Sequence, residues 1–69
     1  MTLQEYFKNC ASELKHDCED LADALGYKDD VVTDAIEEFG LHSLSNDEVN
    51  LLNKEAEDAI RRVYADSER

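Results

Sequence analysis

Sixty-nine residues with eighteen Asp and Glu against seven Lys and Arg, a formal charge of −11, leave room for one domain and repel polyanions. Direct binding to nucleic acid or to an anionic membrane is disfavoured by that sign, so a partner chosen by charge must be basic. No stretch approaches the ~20 apolar residues of a membrane span, and no basic segment followed by an apolar run marks a leader, so a cytoplasmic protein is expected.

Pro is absent, Gly occurs only at 26 and 40, and period-2 alternation of apolar residues is missing. The expected fold is therefore all-α: one compact three-helix domain with helices over about 2-25, 29-39 and 45-66, two long ones with a shorter one between them. In the first segment, Thr2 with Glu5 forms a capping box, in which the Thr hydroxyl accepts from the Glu amide. Leu3, Phe7, Cys10, Leu14, Cys18, Leu21 and Leu25 then recur at a spacing of about 3.67 residues, the period of a straight helix and not of a coiled-coil heptad. Cys10 and Cys18, eight residues apart on such a helix, stand ~12 Å from each other along the axis and cannot pair. Tyr6, Ala11, Ala22 and Ala24 widen the stripe beyond what one neighbour covers, which permits a homodimer.

Gly26 follows as a left-handed C′ residue, with Tyr27 folding back on the last turn. The second helix starts with Asp29 or Asp30 as N-cap and buries Val31, Val32, Ala35, Ile36 and Phe39. Gly40 ends it in the same way as Gly26, with Leu41 folding back. Ser45 and Glu48 make a second capping box, with Leu44 and Val49 as the hydrophobic staple. The third helix carries an apolar stripe of Val49, Leu52, Ala56, Ile60 and Val63, flanked by Tyr64 and Leu51. Arg61, Arg62 and Arg69 stand near its C-terminal end, where cations complement the helix dipole. Of the tyrosines, Tyr27 and Tyr64 are read as core and Tyr6 as the exposed one.

The charge is unevenly spread. Between Asp17 and Glu38 lie nine acids and one base, Lys28. Glu13, Asp17 and Asp20 share one face of the first helix, and Glu19 pairs with Asp23 one turn on. Asp30, Asp34, Glu37 and Glu38 follow at the same spacings on the second helix. Carboxylates on successive turns stand ~6 Å apart, near the spacing of phosphates along a nucleic-acid strand. Glu13, Asp17, Asp20, Asp23, Asp30, Asp34, Glu37 and Glu38 are therefore the candidate partner-binding residues.

Catalysis has little support. His16 lies on a charged face, His42 lies in a loop, and neither stands beside a nucleophile held by a third group. Cys10, His16 and Cys18 lack zinc-site spacing, and the Asp-rich segment after Tyr27 lacks EF-hand register. No catalytic residue, metal ligand or cofactor is expected. The segment Gly40-Leu41-His42-Ser43-Leu44 resembles the region of the prosthetic-group serine in acyl carrier proteins, though His42 stands where that family has Asp. Leu25-Gly26-Tyr27 and the helix after it resemble the loop and second helix of ubiquitin-associated domains over about fifteen residues.

The composition points to a non-catalytic, acidic protein-binding module. Its expected role is that of an inhibitor competing, as a nucleic-acid mimic, for a basic nucleic-acid-binding surface of another protein. In size and charge the chain resembles phage or mobile-element counter-defence proteins of the anti-CRISPR or anti-restriction kind. The alternative is a small helical adaptor or assembly subunit that docks through apolar helix faces, with the acids serving solubility.

Overall fold

A computed structural model describes residues 1–67, the side chain of Ser67 excepted. Among the described residues the fold is all-α, with helices α1 (Leu3–Asp17), α2 (Leu21–Leu25), α3 (Lys28–Phe39) and α4 (Asn46–Ser67). Three are long, and the fourth is a single short turn-and-a-half. The expected helix over 2–25 is thus two helices, α1 and α2, separated by a break at Cys18–Asp20.

The hydroxyl half of each expected capping box forms. Thr2 adopts an extended backbone, and its Oγ1 accepts from the Glu5 amide at 3.1 Å. Ser45 Oγ accepts from the Glu48 amide at 3.3 Å and donates to the Glu48 carboxylate at 3.2 Å. Gly40 takes φ 66°, ψ 34°, the left-handed conformation that costs a residue with a Cβ about 1–2 kcal/mol. It closes a Schellman motif: the Leu41 amide donates to the Ile36 carbonyl at 2.8 Å, and the Gly40 amide to that of Glu37 at 3.3 Å. Leu41 then packs on the core, as its fold-back position requires.

Gly26 is different. It stays right-handed at φ −64°, ψ −22°, so no left-handed cap interrupts the chain there. The Tyr27 amide bonds the Ala24 carbonyl, the Val31 amide bonds the Tyr27 carbonyl, and α3 starts at Lys28 with Tyr27 as its N-cap. Asp29 and Asp30, expected as the cap, fall in the first turn of α3, where their charge suits the helix dipole. Tyr27 does not fold back into the core. It is 50% exposed, while Tyr6, expected outside, is half-buried against Phe7 and Phe39.

These contacts set the course of the chain. Tyr6 near the start of α1 meets Phe39 at the end of α3 edge-on, with centroids 5.6 Å apart, so α3 runs back along α1. Late α1 meets late α4 through Tyr64, whose hydroxyl lies beside the Leu14 and Cys18 carbonyls, so α1 and α4 run the same way. The 22 residues of α4 span ~33 Å at the α-helical rise and account for most of the molecule's 38 Å long axis.

The core has two parts. Phe7, Val31, Val32, Ala35, Leu52 and Ala56 join α1, α3 and α4 at the first. Ala11, Ala24, Ile60 and Tyr64 join α1, α2 and α4 at the second, and Leu14 and Ala59 pack on both. Two of the four buried residues at the second part, Ala11 on α1 and Ala24 on α2, are alanines, which lets these helices come close to α4 there. Leu51, at the flank of the α4 stripe, is 56% exposed. Arg61 and Arg62 fall before the last turn of α4, where the dipole field has already decayed. Arg69 lies outside the described residues.

Candidate acidic interaction surface

The break between α1 and α2 follows from charge and from a long-range hydrogen bond. Asp17 ends α1, where the helix dipole disfavours a carboxylate, while Asp20 precedes α2, where it is favoured. Cys18 (φ −116°, ψ 126°) and Asp20 (φ −103°, ψ 143°) are extended. The Cys18 amide still reaches the Leu14 carbonyl at 2.7 Å. The Cys18 carbonyl, released from the helical ladder, accepts from the Tyr64 hydroxyl at 2.6 Å, with the Leu14 carbonyl 3.5 Å from the same oxygen. The Lys15 ammonium sits 4.8 Å from the centroid of the Tyr64 ring and covers it.

All eight candidate residues, Glu13, Asp17, Asp20, Asp23, Asp30, Asp34, Glu37 and Glu38, are exposed. They fall in two groups. Asp17, Asp20 and Asp23, with Glu19, line one open concavity at the α1–α2 junction together with Cys18, Ala22, Gly26 and Tyr27. Glu13 on α1 and Asp34 on α3 both act on the Cys10 thiol, and Asp34 and Glu38 both act on the Tyr6 hydroxyl. That second group therefore borders the seam between α1 and α3. Asp30 and Glu37 lie one turn either side of Asp34 on α3, and Asp17 follows Glu13 by one turn on α1. The two groups are thereby joined along the surface of α1.

Lys28, the one base in this stretch, points elsewhere: its Nζ lies 3.6 Å from Glu57 on α4. Glu57 also takes the Arg61 guanidinium at 3.4 Å. Both ion pairs recorded among the described residues thus centre on Glu57, and neither takes in a carboxylate of the 17–38 stretch. Sequence reasoning placed Lys28 among the acids. Only the antiparallel course of α3 along α4 reveals that it leaves them.

Burial pushes the Tyr64 hydroxyl above its ordinary value, with Cys18, Asp20 and Asp23 adding to the rise. Burial also raises Tyr6, helped by Cys10, Asp34 and Glu38. The Cys10 thiol is raised by burial foremost; its hydrogen bond with Tyr6 pulls it down, and Glu13 and Asp34 push it up. In each case the fold favours the neutral form, so the unfolded chain gives up its protons first. The stabilisation is complete below the ordinary values of 9.0 for the thiol and 10.0 for the phenols and is lost as pH climbs through the raised ones. Urea midpoints should accordingly hold level up to about pH 9 and then fall. Replacing Cys10 with Ala and Tyr6 with Phe should flatten the first part of that fall. A level midpoint to pH 11 in the parent protein, on the order of two units past the thiol's ordinary value, would show that these groups are not held neutral.

Among the described residues no group of three or more His, Cys, Asp or Glu is arranged to hold a metal ion, and no helix is long and apolar enough to cross a membrane. His16 and His42 are both exposed. Cys10 and Cys18 are free thiols that pack on different parts of the core. Comparison with protein families, with curated proteins and with solved structures finds no match for this chain.

Proposed function

We propose that this protein is a non-catalytic binding module whose acidic face competes for a basic, nucleic-acid-binding surface of a partner protein. One observation carries the proposal: the carboxylates of residues 17–38 are exposed, and Lys28, the one base within that stretch, pairs with Glu57 on α4. Exposed acids kept for solubility alone need not be segregated from the cations of the same chain, since mixed surfaces serve that end better. The arrangement is also self-repelling, a cost that a positively charged partner relieves.

Affinity on this reading comes from displacing the counterions of the partner's Lys and Arg, so binding weakens steeply with salt. A resident nucleic acid and this protein cannot occupy the same groove. In this respect the module acts as phage or mobile-element counter-defence inhibitors of the anti-CRISPR or anti-restriction type do, an analogy of size and charge.

The test is an affinity capture from host lysate at low and at moderate salt, followed by competition with nucleic acid for the captured protein. A nucleic-acid-binding protein held at low salt, shed at moderate salt and displaced by its own nucleic acid supports the reading. A partner retained at both salt concentrations and indifferent to nucleic acid refutes it, and favours an adaptor that docks through apolar contacts.

A further inference from the structure

The acidic concavity at the α1–α2 junction is built on irregular backbone. Three successive residues, Cys18, Glu19 and Asp20, lie outside any helix, and the α2 that follows has five residues and one buried side chain, Ala24. Asp20 makes no side-chain cap bond to α2. A segment this short does not hold a helix by itself, since isolated helices below ~12 residues are marginal in water. Its geometry must come from the rest of the fold.

The tie is Tyr64. Forty-six residues away in sequence and 7% exposed, it is fixed within the second part of the core beside Ala11, Ala24 and Ile60. Its ring packs and its hydroxyl reaches the Cys18 carbonyl at 2.6 Å, inside the break itself. The same hydroxyl is close enough to Asp20 and Asp23 to feel both charges. We infer that Tyr64 is a positioning residue for the acidic face: its hydroxyl pins the junction in the geometry that brings Asp17, Glu19, Asp20 and Asp23 together around Tyr27. The inference rests on the binding function proposed above and assigns to Tyr64 a part in it, exerted through the backbone that it holds.

Without that bond the Cys18 carbonyl turns to water, the junction samples other backbone angles, and the four carboxylates separate under their own repulsion. The population competent to bind a row of cations falls, and apparent affinity falls in proportion. Tyr64→Phe is the matching substitution, because it keeps the ring, its packing and the net charge while removing the donor.

The experiment titrates the intact protein and its Tyr64→Phe variant with an oligo-arginine peptide at several salt concentrations between about 50 and 200 mM. Circular dichroism confirms that each sample is folded, and sucrose is added to both where the variant needs it. The expected result is about tenfold weaker binding by Tyr64→Phe, with a shallower dependence on salt, because fewer carboxylates act together. Ile60→Val, which loosens the same part of the core and leaves the hydroxyl in place, should keep the parent affinity and salt slope. Equal affinity and slope for parent and Tyr64→Phe would overturn the inference, as would an Ile60→Val variant that weakens binding as much. A parent protein that fails to bind the peptide at low salt would instead refute the acidic-face reading beneath it.

Discussion

Changing Asp17, Asp34, Glu37 and Glu38 to Lys should slow association with a basic partner on the order of a hundredfold at low salt while leaving the fold at least as stable. These four positions separate binding from folding. All are exposed, so no buried contact is lost. Asp17 ends α1, and Glu37 and Glu38 lie in the last turn of α3, where a cation suits the helix dipole and an anion does not. The substitutions also turn the like-charged pairs Glu13–Asp17 and Asp30–Asp34 into opposite-charged ones, each like pair having cost ~0.2–0.5 kcal/mol on an isolated helix, while position 34 stays like-charged with 37 and 38. Stopped-flow association rates across a salt series read the effect. The difference between parent and variant should shrink as salt rises, because charges further apart than the ~8 Å Debye length at physiological ionic strength are screened from one another. Equal association rates at low salt would remove the acidic face from the account of binding.

A large loss of stability is expected at Ile60. It is a bulky side chain held at 1% exposure. Its buried neighbours Ala11 and Ala24 are already trimmed to a methyl group, so they cannot move in to fill a void. Ile60→Ala should therefore cost near the upper part of the ~2–5 kcal/mol range for such truncations. A domain of this size holds only roughly 3–10 kcal/mol in total. The melting temperature should drop by about 15–25 °C, and the least stable estimate leaves the variant unfolded at room temperature. Leu51→Ala, at a site 56% exposed, should change stability by no more than ~0.5 kcal/mol. Thermal melts of the two variants side by side test both statements, and a small shift at Ile60 would mean that the second part of the core can collapse around the gap.

Much of the fold can be read from local signals. Thr2, Ser45 and Gly40 act within one turn of their own positions, and all three do in the structure what their chemistry dictates. The buried faces of α3 and α4 follow from helical spacing in the same way. The break in the first segment is another matter, because the stripe Leu14, Cys18, Leu21, Leu25 stays in helical register across it. Local periodicity therefore argues for a continuous helix. What divides it is the sign of charge at Asp17 and Asp20 together with a hydroxyl that arrives from Tyr64, and the second of these has no local trace.

The exchange of roles between Tyr6 and Tyr27 has a similar origin. Tyr6 is buried by Phe39, a residue it meets only because α3 returns along α1. Tyr27 is left outside because Gly26 does not turn left-handed, and a glycine's identity alone does not tell which of its conformations the fold will use. The acids of the candidate surface were legible as a set. Their grouping around the junction and along the α1–α3 seam depended on the break and on the helix directions, so it was not.

The withdrawal of Lys28 toward Glu57 has one more effect. Nine acids and one base give the stretch from Asp17 to Glu38 a charge of −8 out of −11, so most of the net charge is carried by α2, α3 and the turn before them. Charge spread so unevenly gives the molecule an electric dipole. In the field of any positively charged body it rotates before it docks and arrives with α2 and α3 leading, whether that body is a protein groove or the bead of an anion-exchange column. Its retention on such a column should then follow single-charge changes on α3 more closely than equal changes on α4, although the net charge altered is the same.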